Sequence, residues 1–177
     1  MKITFLTHSI TFDNEADLAS GWNDIELSPE GIKRIEAWAK DINLSDIDAV
    51  YASDLQRAYK TAQIAFPEIT TRKLFLDWRL RECDYGDLTQ HPKSTEVDPA
   101  RAQHIDNPFP NGESYTQAMA RMESFVNDLR KLPHKHVLVI GSRATHYGLD
   151  VHIDGKSIEE CLAHKFVWQP GWTFELT

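Results

Sequence analysis

The chain has 177 residues, of which 41% are hydrophobic and 26% charged, and a formal net charge of −8 at pH 7. That length fills one well-packed domain and is short for two, so residues 1–177 read as a single domain. The acidic balance argues against nucleic acid as the main partner, because binding a phosphate backbone needs a basic face; a few local arginines can still make a pocket for a small phosphorylated ligand.

No run of about 18 apolar residues is present, so no membrane partner is expected. The opening MKITFLTHSI lacks the basic region, apolar core and small-residue cleavage site of a secretory signal. The two cysteines, Cys83 and Cys161, suit a reduced compartment better than a disulfide framework. A cytoplasmic location is the expectation.

Lys2 to Leu6 reads as a short apolar strand that ends in a polar turn, with His8 at the point of exit. The polar run from Asp13 to Trp22 reads as a loop over the sheet edge. Ser28-Pro29-Glu30 starts a helix, with a cap, a proline at the first helical position and an acid in the first turn. Ile32, Ile35, Trp38 and Ile42 then give it one buried face. Asp46 to Ala52 is a second strand, and Ser53 to Ala62 a second strand-to-helix junction with Arg57 in its first turn. A third strand is expected from Arg72 to Leu76.

Residues 87–111, with Pro92, Pro99, Pro108 and Pro110, read as an irregular excursion of the kind that forms a lid or binding loop. Gly112-Glu113-Ser114 opens a long amphipathic helix bearing Met119, Met122, Phe125, Val126 and Leu129 on one side. The apolar run His136 to Gly141 suits a central parallel strand buried on both faces, and it feeds a third turn at Ser142-Arg143-Ala144-Thr145. Two short helical segments and a last strand from Trp172 to Leu176 complete the chain. Strands alternating with helices predict a three-layer α/β/α fold with a mostly parallel central sheet. Ligands bind beyond the carboxyl ends of such strands, so the polar residues after Leu6, Ala52 and Ile140 form the candidate site.

Several stretches together resemble the histidine phosphatase superfamily, the phosphoglycerate-mutase-like fold. Thr7-His8-Ser9-Ile10-Thr11 with Asn14 lies in the register of its Arg-His-Gly-Glu/Gln-Thr motif and spaced Asn. Leu27-Ser28-Pro29-Glu30-Gly31, the block Ala52 to Ala62, Leu80-Arg81-Glu82 with Gly86, and Gly112-Glu113-Ser114 follow in the family's order. The resemblance implies that His8 is the nucleophile that becomes phosphohistidine, with its other ring nitrogen held by a backbone carbonyl. It implies that Arg57 clamps the phosphoryl oxygens. Glu82 gives a proton to the leaving alkoxide and then takes one from water, while Asn14 and the Thr11 hydroxyl add neutral donors. No cofactor or metal is implied; the partner is a small phosphorylated substrate.

Two departures stand out. Thr7 occupies the position of the family's first arginine, and Ser142 that of its second histidine. Loss of a charged donor from a phosphoryl-transfer site is expected to cost about 2.7–4 kcal/mol, by analogy with lost oxyanion donors. Arg143 restores part of that charge if its side chain turns inward; His146, one helical turn on, reads as too deep to substitute. A serine hydrolase centred on Ser142 is disfavoured, because Ile140 and Ala144 stand where a nucleophile elbow needs glycine. His134 and His136 have no Cys, Asp or Glu set nearby to complete a metal site. A non-catalytic phosphate-binding protein on the same fold is the alternative. The phosphatase reading predicts that His8, Arg57, Glu82 and Ser142 converge on one pocket.

Overall fold

The computed structural model describes residues 1–39, 46–68, 73–164 and 166–177. Strands β1 (Lys2–Thr7), β2 (Ala49–Ala52), β3 (Leu74–Leu76), β4 (His136–Gly141) and β5 (Trp172–Glu175) form one sheet in the order β3-β2-β4-β1-β5. Every pairing is parallel except that of β5 with β1. Adjacent β1 and β4 end in register, Thr7 opposite Gly141, and His8 N donates to Gly141 O at 2.8 Å. The two chain segments that leave these strands therefore start side by side.

Alternation along β1 decides the layers. Ile3 and Phe5 point to one face, where they pack with Met122, Phe125 and Leu129 of α4 (Tyr115–Leu129) and Leu149 of α5 (Arg143–His152). Leu6 points to the other, with Ile35 of α2 (Pro29–Trp38) and Ala58 and Ala62 of α3 (Gln56–Ala65). A third apolar cluster, including Tyr85, Val97, Phe109, Tyr115 and Tyr147, lies beneath the 87–111 excursion. Burial on both faces accounts for the unbroken apolar run of β4, whose residues Val137 to Ile140 are fully buried.

Four expectations need correction. The run after Asp13 is not all loop: Phe12–Glu15 forms a short helix, α1, closed by a reciprocal cap between Thr11 and Asn14. Ile32 does not join the buried face of α2 but is 37% exposed, because Gly31 and Ile35 carry that contact; Ile42 lies outside the described residues. The third strand is only Leu74–Leu76, and Arg72 is likewise outside them. The excursion is built of short helical turns, Gly86–Leu88, Lys93–Val97, Asp98–Ala100 and Arg101–His104. Helix α6 (Ile158–Ala163) follows α5.

Gly31 shows why a helix can sit so near the β1 exit. A Cβ there would stand 2.0 Å from the Ile10 carbonyl oxygen, which is backbone and cannot move aside. Gly31→Ala is expected to destabilise the fold by about 1–3 kcal/mol, as overpacking does. Urea unfolding would read this as a lower midpoint with an unchanged slope; an unchanged midpoint would contradict the close approach.

Candidate active site

His8 leaves β1 with Nδ1 2.7 Å from the carbonyl oxygen of Ser9. A carbonyl can only accept, so Nδ1 carries the proton and the Nε2 lone pair is left free. Burial first, then the positive charges of Arg57 and Arg143, push the His8 pKa down to about 3, against the opposing pull of its hydrogen bond to Ser9. The ring is a neutral nucleophile at any ordinary working pH. For stability the sign is fixed: the unfolded chain takes up this proton near pH 6.5 and the folded chain does not until about 3. Stability linked to His8 is therefore complete above pH 6.5 and falls as pH drops through that window. Proton NMR of the ring should show no titration of His8 between pH 8 and pH 4.5. A midpoint near 6.5 would contradict the assignment.

The block that begins at Ser53 is fully employed. Asp54 grips Arg81 through two hydrogen bonds of 2.8 and 2.6 Å. Thr61 Oγ1 donates to Arg57 O at 2.6 Å and accepts from Ser9 N at 3.0 Å, tying α3 to the His8 turn. Arg57, only 1% exposed, donates to Gly21 O at 2.7 Å and Asn23 O at 2.8 Å, which draws the 20–24 loop around it. Burial lowers its pKa, opposed chiefly by the charges of Glu82 and Asp24.

Glu82 is 8% exposed. Its basic neighbours are engaged elsewhere, Arg79 with Asp77 and Asp128 and Arg81 with Asp54, so neither pairs with it. Oε1 accepts from Cys83 N at 2.8 Å and Ala144 N at 3.2 Å, and Oε2 from Arg143 N at 3.2 Å. The carboxyl group thus sits at the N-terminus of α5, oriented by three backbone N–H groups, two of them from the first turn of that helix. Behind it, Arg121 of α4 donates to the carbonyls of Arg79, Arg81 and Glu82 and pairs with Glu113 at 2.6 Å. Gly112 permits this: a Cβ there would lie 2.3 Å from Asp84 O. Ser114 then caps α4 in a reciprocal box with Gln117.

Ser142, 2% exposed, is the N-cap residue of α5, and its N–H donates to Thr145 Oγ1 at 3.0 Å. A single cavity of about 560 Å³ is lined by His8, Arg57, Glu82, Ser142, Arg143 and Asn14 together. The Asn14 amide oxygen is committed to Thr11 N, which leaves its NH₂ group as the donor available there. Thr11 does not line the cavity: it is fully buried, and its hydroxyl oxygen accepts from Asn14 N as the cap of α1. Arg143 does face the cavity, paired with Asp98 at 3.2 Å. His146 does not; it is packed against Phe5 and Trp172.

Tyr85, Phe166 and Trp168 are the aromatic residues of the cavity wall. Trp78 is exposed against Trp22, His91 pairs with Glu96 at the surface, and Phe109 and Tyr115 belong to the core. Sequence reasoning missed Lys93 and Arg101, which join the cavity wall from the 87–111 excursion and share Asp98 with Arg143. The charged residues of the excursion carried a signal, but without regular periodicity nothing fixed which of them face inward.

A family model described as histidine phosphatase superfamily (branch 1) matches residues 3–166. A Hydrogenobacter thermophilus protein assigned as phosphoserine phosphatase 2 is 22% identical over 165 residues, 89% of this chain and 81% of its own. Some phosphoglycerate mutases match over less: the 2,3-bisphosphoglycerate-dependent enzyme of Streptococcus mutans is 35% identical over 98 residues, 53% of this chain and 43% of its own. Among solved structures, a mycobacterial glucosyl-3-phosphoglycerate phosphatase complexed with VO3 superposes with a TM-score of 0.81 at 22% identity, covering 97% of this chain and 90% of that one. Bacillus stearothermophilus YhfR gives 0.81 at 18% identity, covering 99% and 94%. No described helix is long and apolar enough to cross a membrane. The chain belongs to the histidine phosphatase superfamily, branch 1.

Proposed function

We propose that this chain hydrolyses small phosphomonoesters in two displacements through His8. In the first, Nε2 attacks phosphorus, the ester P–O bond breaks, and the departing oxygen takes a proton from Glu82. In the second, water gives a proton to Glu82 as its oxygen attacks phosphorus, and the P–N bond breaks to release phosphate. Arg57 and Arg143 stabilise the phosphoryl oxygens, with Asn14 as a neutral donor and Ser142 offering a hydroxyl in place of a charge. Residues 87–111 act as a lid whose Lys93 and Arg101 face the leaving group. The observation that carries the reading is the His8 ring, neutral and held through Nδ1, in one cavity with a buried arginine and a carboxyl group.

Arg57 supplies the test of the clamp. Calorimetry with orthovanadate should show affinity lowered about a hundredfold in Arg57→Ala and recovered in part in Arg57→Lys, since charge remains but the fork of donors is lost. Equal affinity in all three proteins would remove Arg57 from the site.

A further inference from the structure

The close approach of Gly31 has an effect beyond packing. Ser9 Oγ donates to Gly31 O at 2.9 Å, which pins the first turn of α2 to the residue after His8. Arg34 follows three residues on and Trp38 a turn later, so both lie on the helix face that looks toward the β1 exit. Arg34 is exposed at the rim of the main cavity, with Thr7, Ser9 and Trp168 also in its wall.

The guanidinium of Arg34 is held there by an aromatic ring. Its carbon stands 4.2 Å from the centre of the Trp168 ring, a stacked arrangement that leaves the N–H edges open. Among the described residues no carboxylate or hydrogen-bond acceptor engages it. The other cations of the wall have protein partners, Lys93, Arg101 and Arg143 sharing Asp98 and Arg57 giving one N–H to each of two carbonyls while keeping further donors for the phosphoryl group. Beneath Arg34 a hollow of about 20 Å³ runs between Thr7 and Trp38. Among the described residues, the buried Thr7 Oγ1 and Trp38 Nε1 there have no hydrogen-bond partner. Thr7 brings a hydroxyl but no charge to its part of the wall, and Arg34 is the open cation beside it.

We propose that Arg34 is a substrate-binding residue, its guanidinium pairing with a non-bridging oxygen of the phosphoryl group attacked by His8. Trp168 is its positioning residue. This rests on the reading that the phosphoryl group sits between His8 and Arg57.

The test is calorimetry of the full chain with orthovanadate, alongside kinetics with p-nitrophenyl phosphate. Arg34→Ala should raise the vanadate Kd about tenfold and lower kcat/KM by at least as much, with kcat falling as well, as expected for a charged donor on the phosphoryl oxygens that is felt more in the transition state than in the ester. Arg34→Lys should recover part of the loss. Trp168→Leu should weaken vanadate binding about threefold alone, and add nothing in the Arg34→Ala background, because its effect passes through Arg34. Circular dichroism of these surface variants should match the unaltered chain. Unchanged vanadate affinity in Arg34→Ala, with Arg57→Ala still losing it, would overturn the role of Arg34 and leave the site reading standing. Unchanged affinity in both would overturn the site reading itself. A Trp168→Leu loss that persists in full without Arg34 would overturn the positioning role.

Discussion

Ser142→His is expected to raise the turnover of p-nitrophenyl phosphate by a factor on the order of a hundred or more. The argument is local. Residue 142 ends the loop after β4, its N–H is already satisfied by Thr145, and its side chain opens on the cavity that holds His8. The next two N–H groups of α5 hold the Glu82 carboxyl, so an imidazole at 142 would lie beside the proton donor and face the same phosphoryl group. Serine can donate one hydrogen bond from that place but is shorter and uncharged. A charged donor aimed at the phosphoryl oxygens stabilises the transition state more than the ester, so the gain should appear in kcat as well as in kcat/KM. If the histidine gains little while the protein stays folded and binds vanadate, the chain is better described as a phosphate-binding member of its family.

His8→Ala in the Ser142→His background is expected to remove activity, by at least about a thousandfold. His146 is packed behind the sheet against Phe5 and Trp172, and the Cys83 thiol is buried, its pKa pushed far up by burial and by the charges of Glu113 and Glu82. The loss should be one of chemistry, not of fold, because the neighbouring backbone is held by Ser9 N to Thr61 and His8 N to Gly141 O. Vanadate binding, carried largely by the arginines, should weaken less than turnover. Residual activity within about tenfold of the parent would assign the nucleophile elsewhere.

What was legible in the sequence follows from how local each signal was. The β4 run and the Ser53 to Ala62 block are continuous, and their roles depend on neighbours along the same strand or helix. The carbonyl that holds Nδ1 of His8 belongs to the next residue, and the implied tautomer matches the hydrogen bond observed. Thr11 went astray because a threonine three residues before an asparagine is equally good as a helix cap, and the backbone took it for that use. Lys93, Arg101 and Arg34 could not be read: the excursion that carries the first two has no regular period to say which way they face, although both pair with nearby Asp98, and the direction of Arg34 is set by distant contacts, Gly31 against Ile10 and Trp168. On α2, a basic residue between apolar positions reads as solvated surface until the depth of the helix is known.

The most direct test of the account is chemical trapping of the intermediate. The full chain and its Ser142→His form would each be mixed with p-nitrophenyl phosphate, quenched in alkali where a phosphohistidine survives, and the peptides mapped by mass spectrometry. The account predicts a phosphoryl group on His8 in both, absent from His8→Ala. Release of phosphate with His8 never phosphorylated, or an equal phosphoryl signal in His8→Ala, would contradict it.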